Sequence, residues 1–323
     1  MTPIFVYITH KNGVADDSAL ELISAAKAVE SGCNPTAVVL GARTDVTTVA
    51  AEMVKSYAEV IKVENDALSY PNAEIYRKVL RAVLPPDALL LVVHDTFGMD
   101  LSPGLSIKMD SSFVPDVIGI EGVEEGKLKV IRQEYGGAVS TRSLCDLSNG
   151  AVLNIRAGSF PADESKALTG SIVDKSGEVQ DFSTKRTFVE VIEAEVGDVD
   201  ITKSEVLVSV GRGIEEEDNL EMVHSLAKAM GADVACSRPI VDAKWLEKSR
   251  QVGTSGQTVK PKVYLALGIS GSFQHVGGIK GNPFIVAVNK NPNAPIFQTA
   301  DVGVVTDILD FIPELTEKIN EAK

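Results

Sequence analysis

Val263-Tyr-Leu-Ala-Leu267 runs into Gly268-Ile-Ser-Gly-Ser-Phe-Gln-His275, and Ile285-Val-Ala-Val-Asn-Lys290 follows about ten residues later. The first run is short and apolar, so it reads as a buried strand. The glycines and serines after it permit a tight turn with exposed backbone N–H groups. Such a turn opening a helix favours anions and dipoles, because first-turn N–H groups have no partner inside the helix. His275 adds a titratable donor at the end of that turn. A second strand ends at Asn289-Lys290, and a third apolar run closes on Asp301-Val-Gly-Val-Val-Thr-Asp307. Strand, polar turn, strand, polar turn is how α/β sheets build ligand sites at the carboxyl ends of their strands.

Working outward, the 323 residues exceed what one core commonly organises, so two domains are expected. Hydrophobic residues make up 44% and charged residues 24%, the balance of an ordinary globular protein. The formal net charge of −14 argues against nucleic acid, whose phosphates need a basic patch. An acidic surface suits solubility or docking to basic partners. No apolar stretch is long enough to span a membrane. The start, Met-Thr-Pro-Ile-Phe-Val-Tyr, enters a strand directly, without a basic region or cleavage site, so a cytoplasmic location is expected. Cys33, Cys145 and Cys236 lie more than ninety residues apart, without a CxxC pair. Isolated thiols are the expectation, and no metal or iron–sulfur site.

The first 120 residues alternate strand and helix signals. Strands are expected at 4–8, 37–40, 60–63 and 88–93. Helices are expected from Asp16 to Glu30, with Asp16 or Asp17 as N-cap, from Val46 to Tyr57, and from Glu74 to Leu84. Alternation of this kind implies a mainly parallel sheet, and the 88–93 run, without polar interruption, should be central and buried on both faces. Runs at 127–132, 151–156 and 187–192 show partial period two and should extend that sheet as antiparallel or edge strands. The acidic segment 195–201 is the expected boundary between domains 1–200 and 201–323. A strand then restarts at Glu205, and a helix begins near Glu216.

Six blocks carry a resemblance: VSVGRGI (208–214), SRPIVDA (237–243), QVGTSGQ (251–257), GISGSFQH (268–275), AVNKNPNAPIF (287–297) and ADVGVVTDI (300–308). In order and spacing they resemble the FAD-binding domain of the electron-transfer flavoprotein alpha (large) subunit. Phe97-Gly-Met-Asp-Leu-Ser-Pro103 and Val114-Pro-Asp-Val-Ile-Gly119 resemble the same subunit more loosely. The resemblance implies an α/β protein of two domains: an N-terminal parallel-sheet, nucleotide-hydrolase-like domain packing with a beta subunit, and a C-terminal Rossmann-like FAD-binding domain.

Site roles follow from the resemblance beside the chemistry of each residue. Gly211-Arg212-Gly213 follows a strand, and the Arg212 guanidinium suits bidentate pairing with pyrophosphate. Arg238, after Ser237, resembles the arginine lying over the isoalloxazine ring, where a fixed cation raises the flavin's potential; pairing with Asp242 is its other reading. In the turn Val252, Gly253, Thr254, Ser255, a hydroxyl should reach flavin N5, and Thr254 and Ser255 both remain candidates, since many members carry Gln in place of Thr254. Gly268, Ser270, Gly271, Ser272, Phe273, Gln274 and His275 form the densest block, with His275 resembling the histidine near flavin O2. Asn289, Asp307 and Ile308 complete the set; Asp307 could equally cap the following helix. His10 and Asp95, near strand ends of the first domain, read as loop polar groups, and no nucleophile–base pair stands out.

The implied function is electron carriage on FAD, from flavin dehydrogenases, typically acyl-CoA dehydrogenases, to an acceptor such as a quinone reductase. An electron-bifurcating, NADH-linked complex is the rival within the same chemistry. A non-redox adenine-nucleotide-binding protein is the rival outside it.

Overall fold

A computed structural model describes residues 2–135, 139–165, 169–190 and 199–323. The chain divides into two compact units, Met1–Glu190 and Val191–Lys323.

The first unit is built on one nine-stranded sheet. Its strands are β1 (Ile4–Tyr7), β4 (Thr36–Gly41), β5 (Glu59–Glu64), β6 (Leu89–Val93), β7 (Ser112–Glu124), β8 (Lys127–Glu134), β9 (Val139–Asp146), β10 (Ala151–Ile155) and β11 (Ser171–Asp174). A small hairpin of β2 (His10–Lys11) and β3 (Val14–Ala15) stands apart. The order is β11-β5-β4-β1-β6-β10-β7-β8-β9, parallel from β11 to β7 and antiparallel across β7, β8 and β9. Helices α1 (Ser18–Val29), α2 (Arg43–Met53), α3 (Ala73–Val83) and α4 (Thr96–Met109) supply the crossovers. In β6, Leu89 and Leu91 enter one core while Leu90 and Val92 enter the other, as a run without polar alternation requires.

Local chemistry sets the helix ends. Asp16 accepts from the Ser18 N–H at 2.9 Å, so the earlier of the two aspartates caps α1. Helix α2 stops at Met53, short of Tyr57, because Tyr57 is buried and donates its hydroxyl to the Ala19 carbonyl at 2.5 Å.

Two expectations are corrected. The 151–156 run is no edge: β10 lies inside the sheet, parallel between β6 and β7, and each of its five residues is buried. Its lone polar residue, Asn154, imitates alternation without creating a wet face. The expected strand at 187–192 is absent over 187–190, which is irregular and exposed; residues 191 and 192 lie outside the described residues. Phe188 instead stacks on Tyr70, ring centroids 3.6 Å apart, and the sheet edge beside β5 is taken by β11.

The second unit holds a five-stranded parallel sheet in the order β13-β12-β14-β15-β16. The strands are β12 (Val206–Val210), β13 (Asp233–Cys236), β14 (Val263–Leu267), β15 (Phe284–Val288) and β16 (Val302–Val304). Helices α5 (Leu220–Met230) and α8 (Ile308–Glu321) pack on one face, and two hydrophobic clusters fill both sides. Helix α5 begins at Leu220, later than the expected Glu216, because short 3-10 turns at Arg212–Ile214 and Glu217–Asn219 intervene. From β12 the chain goes outward to β13, then returns to β14 on the other side of β12. That reversal opens the crevice where open α/β sheets bind ligands.

Leu90, fully buried in β6, tests the sheet's centre. Leu90→Ala should cost about 2–5 kcal/mol in urea unfolding. Ile107→Ser, at an 81% exposed position of α4, should stay within about 0.5 kcal/mol of the parent.

Candidate functional site

The turns that follow β12 and β14 meet at the reversal point, backbone against backbone. Gly211 N–H donates to the Leu267 carbonyl at 2.8 Å and Gly213 N–H to the Gly268 carbonyl at 3.2 Å. A Cβ on Gly213 would stand 2.7 Å from the Gly268 Cα, and Gly268 itself has φ +61°. These glycines are therefore required by the contact between the two turns, and two of their N–H groups are spent on it. Arg212, between them, is exposed.

At the end of β13, the Ser237 N–H donates to the Val210 carbonyl at 3.0 Å, which ties this turn to β12. Ser237 is buried and precedes the short helix α6 (Arg238–Asp242). Arg238 is exposed, with Nε 3.4 Å from Asp242 Oδ2. The pairing with Asp242 thus exists, one helical turn apart. Both groups are so accessible that the pair holds Arg238 only weakly.

The segment Gln251–Gln257 folds into a turn fixed at three points. Val252 N–H donates to Cys236 at 2.9 Å, Gly253 N–H to Gln257 at 3.1 Å and Thr254 N–H to Gln274 at 2.8 Å. Thr254 and Ser255 are exposed at its tip. Gln251 Nε2 donates to Ser255 Oγ at 2.9 Å. The Ser255 hydroxyl is therefore oriented while keeping its own proton to give.

After β14, Ser270, Ser272, Phe273 and Gln274 are exposed, while Gly271 is buried against Ile296. The helix expected to open here is the single turn α7 (Phe273–Val276), too short to project a strong dipole. Asn289 is committed inward: Nδ2 donates to the Ile269 carbonyl and Oδ1 accepts from the Asn291 N–H, both at 2.9 Å. Asp307 caps α8, accepting from Leu309 N–H at 3.0 Å, and Ile308 is buried beside it. Sequence reasoning missed Lys290, which pairs with Glu215 at 2.7 Å and joins the turns after β12 and β15. Glu215, at φ +69°, stands outside α5, and nothing in the sequence marks a partner 75 positions away.

The structure changes the picture of His275. It is buried, and its Nε2 lies 2.8 Å from the hydroxyl of Tyr264, a fully buried residue of β14. Nδ1 is also buried and makes no hydrogen bond of good geometry. Burial pushes the imidazole pKa down to about 4, and the Val252 backbone offsets this only partly. At neutral pH His275 is neutral, so the expected titratable donor carries no positive charge. Tyr264, unnoticed in the sequence as one more residue of an apolar strand, is the reason the ring points inward.

In the first unit, His10 Nε2 lies 2.9 Å from the Leu40 carbonyl, and Asp95 caps α4 by accepting from Gly98 N–H at 2.6 Å. Burial raises the Asp95 pKa. Among the described residues no group of His, Cys, Asp and Glu is placed to hold a metal.

The state of His275 has a consequence in acid. The unfolded chain takes up a proton on this ring near pH 6.5, whereas the folded chain refuses it until about pH 4. Protonation therefore favours unfolding: the group costs no stability above pH 6.5 and removes up to about 1.4 kcal/mol per pH unit as pH falls towards 4. Urea unfolding across that range should show a flatter pH dependence for His275→Gln than for the parent.

Comparison with known proteins fits this geometry. Residues 4–184 match the electron transfer flavoprotein domain and residues 200–280 the electron transfer flavoprotein FAD-binding domain. The chain is 34% identical to the electron transfer flavoprotein subunit alpha of Methylophilus methylotrophus, covering 99% of both chains. It is 30% identical to that of Thermoanaerobacterium thermosaccharolyticum, over 99% of this chain and 98% of the relative. It is also 30% identical to the lactate dehydrogenase (NAD(+),ferredoxin) subunit LctC of Acetobacterium woodii, over 98% of this chain and 76% of the relative. Among the described residues no helix is long and apolar enough to cross a membrane. With both family domains matched in order and whole alpha subunits aligned from end to end, the chain belongs to the electron transfer flavoprotein alpha-subunit family, and its cofactor is FAD.

Proposed function

We propose that this chain is the alpha subunit of a heterodimeric electron carrier, in which residues 201–323 hold FAD and residues 1–200 pack with a beta subunit. The observation that carries this reading is the gathering of Arg212, Arg238 and the hydroxyl turns at the carboxyl edge of one parallel sheet, within the unit that matches the FAD-binding domain.

The donor set suits the cofactor. Two exposed guanidiniums offer bidentate partners for a pyrophosphate or an electron-rich ring. Thr254, Ser255, Ser270 and Ser272 offer small hydroxyls that can approach a ring edge or a ribityl chain. Bound FAD supplies the one- and two-electron chemistry. The chain's residues bind and orient it: Arg238 places a positive charge, and Ser255, set by Gln251, keeps a proton to donate. Asn289 and Asp307 act from behind, because their side chains already hold the neighbouring turns. In this reading the donor is a flavin dehydrogenase, typically an acyl-CoA dehydrogenase, and the acceptor is of the quinone-reductase type.

Similarity to LctC favours a second reading, the alpha subunit of an NADH-linked bifurcating complex. Counting flavins per purified complex and testing reduction by NADH separates the two: one flavin without NADH reduction supports the simple carrier, and two flavins with NADH reduction the other. A purified complex without a flavin absorption band would overturn both.

Charge at Arg238 gives a signed test. Arg238→Ala should lower the flavin reduction potential by the equivalent of about 1–3 kcal/mol, a charged hydrogen bond's worth, with FAD still bound. Asp242→Asn should raise it, because it removes the acid that lies 3.4 Å from the Arg238 guanidinium. Spectroelectrochemical titration of both variants reads the two signs; equal potentials in all three proteins would remove Arg238 from the ring.

A further inference from the structure

We infer that residues 181–188 form a salt-releasable clasp, gripped by side chains of α3 and α4, that fixes the chain at Phe188, close to the end of the first unit. Closed, it shortens the free chain available to join the two units.

From Val179 to Glu190 the chain forms neither helix nor strand, and every residue after Phe182 is exposed. Little apolar burial holds such a segment, yet its polar groups converge on one end of α3. Lys78 Nζ donates to Asp181 Oδ2, to the Ser183 carbonyl and to Ser183 Oγ, each at 2.8 Å. Thr184 Oγ1 accepts from Asn72 Nδ2 at 3.1 Å and donates to Glu74 Oε2 at 2.9 Å. The Lys185 N–H donates to that same Glu74 oxygen at 2.8 Å. Arg186 then closes on Asp100 of α4 with both terminal nitrogens, Nη2 lying 3.2 Å from Oδ1. Last, Phe188 stacks on Tyr70, both half-exposed, with their planes 10° apart.

Asp100 is held ready for Arg186 by the helices themselves. Arg77 of α3 lies across α4, with Nη2 3.3 Å from Asp100 Oδ1 and Nε donating to the Leu101 carbonyl at 3.0 Å. A Cβ on Gly104 would stand 2.5 Å from the Arg77 guanidinium carbon, so that glycine makes room for it. One carboxylate with a fixed place thus serves two arginines. Arg186 Nε also lies 3.7 Å from Glu74, which couples the grip of Asp100 to those on Thr184 and Lys185. Shared partners make these contacts open together. Exposed ion pairs are individually weak and are screened by salt. The anchors upstream are apolar instead: Val179 is buried, and Phe182 packs against the core. Salt therefore frees the segment back to Phe182 and no farther. In the second unit, the next described residue packed against a core is Val199. Opening lengthens the stretch between packed residues from eleven steps (188 to 199) to seventeen (182 to 199), or from about 40 Å to about 60 Å of covalent reach.

Amide exchange and spin-label distances in the full-length protein test the clasp. Exchange at Lys185, whose amide is bonded to Glu74, should quicken about fivefold in Asp100→Asn if the contacts open together. Raising salt from about 20 mM to about 0.5 M should do the same to the parent and add little to the variant. Spin labels at Ile107→Cys and Glu190→Cys report the exit point, in a Cys33→Ser background because Cys33 is only partly buried. They should give a narrow distance distribution in the low-salt parent and a broad one in Asp100→Asn. Arg186→Gln, outside both helices, should reproduce both effects even if Asp100→Asn disturbs α4. A Lys185 amide indifferent to both substitutions, or a parent indifferent to salt, would overturn the clasp. A broad distribution in the low-salt parent would overturn the fixed exit. Neither readout needs bound flavin, so failure here leaves the flavin site standing, and failure of the flavin site leaves the clasp.

Discussion

The site of the C-terminal unit depends on the contact of Gly211 and Gly213 with the turn at Gly268, because it lets two strand ends meet at the reversal of the sheet. Side chains there would force β12 and β14 apart at their carboxyl ends and break the Gly211–Leu267 bond. The remaining turns are referred to that meeting point. Ser237 is tied to the end of β12, Val252 to the end of β13, and Asn289 to the turn after β14. Each turn is thus held by the strand beside it as well as the strand before it.

Much of this was legible in the sequence, for identifiable reasons. Apolar runs such as 88–93 and 263–267 admit few other positions than a sheet interior. Gly-rich turns directly after them place the polar residues at the carboxyl edge. Asp307 before an amphipathic run announced its cap. The failures have equally local causes. The single Asn154 made a fully buried strand resemble an edge strand, since sequence pattern does not distinguish a polar atom hidden in the sheet from one facing water. The 187–190 segment has strand-forming residues, but it is irregular and exposed, and its aromatic ring stacks on Tyr70.

Within the site, Arg212, Arg238, Thr254 and Ser255 stand exposed. His275 belongs to a different environment, because its neighbour across the pair is eleven positions earlier in a strand that looked purely structural. A histidine's protonation state is a property of its surroundings, and the surroundings were not adjacent in the chain. Lys290 and Glu215 were overlooked for the same reason: 75 positions separate two residues that lie 2.7 Å apart.

The cross-bracing of these turns bears on how a ligand would be received. Loops that close over a guest must give up conformational freedom on binding, and that loss is subtracted from affinity. Here the freedom is surrendered during folding: Gln251 already aims the Ser255 hydroxyl, Lys290 already spans to Glu215, and the Ile269 carbonyl is already held by Asn289. The rim is a pre-set mould, and its shape belongs to the chain before anything is cast in it.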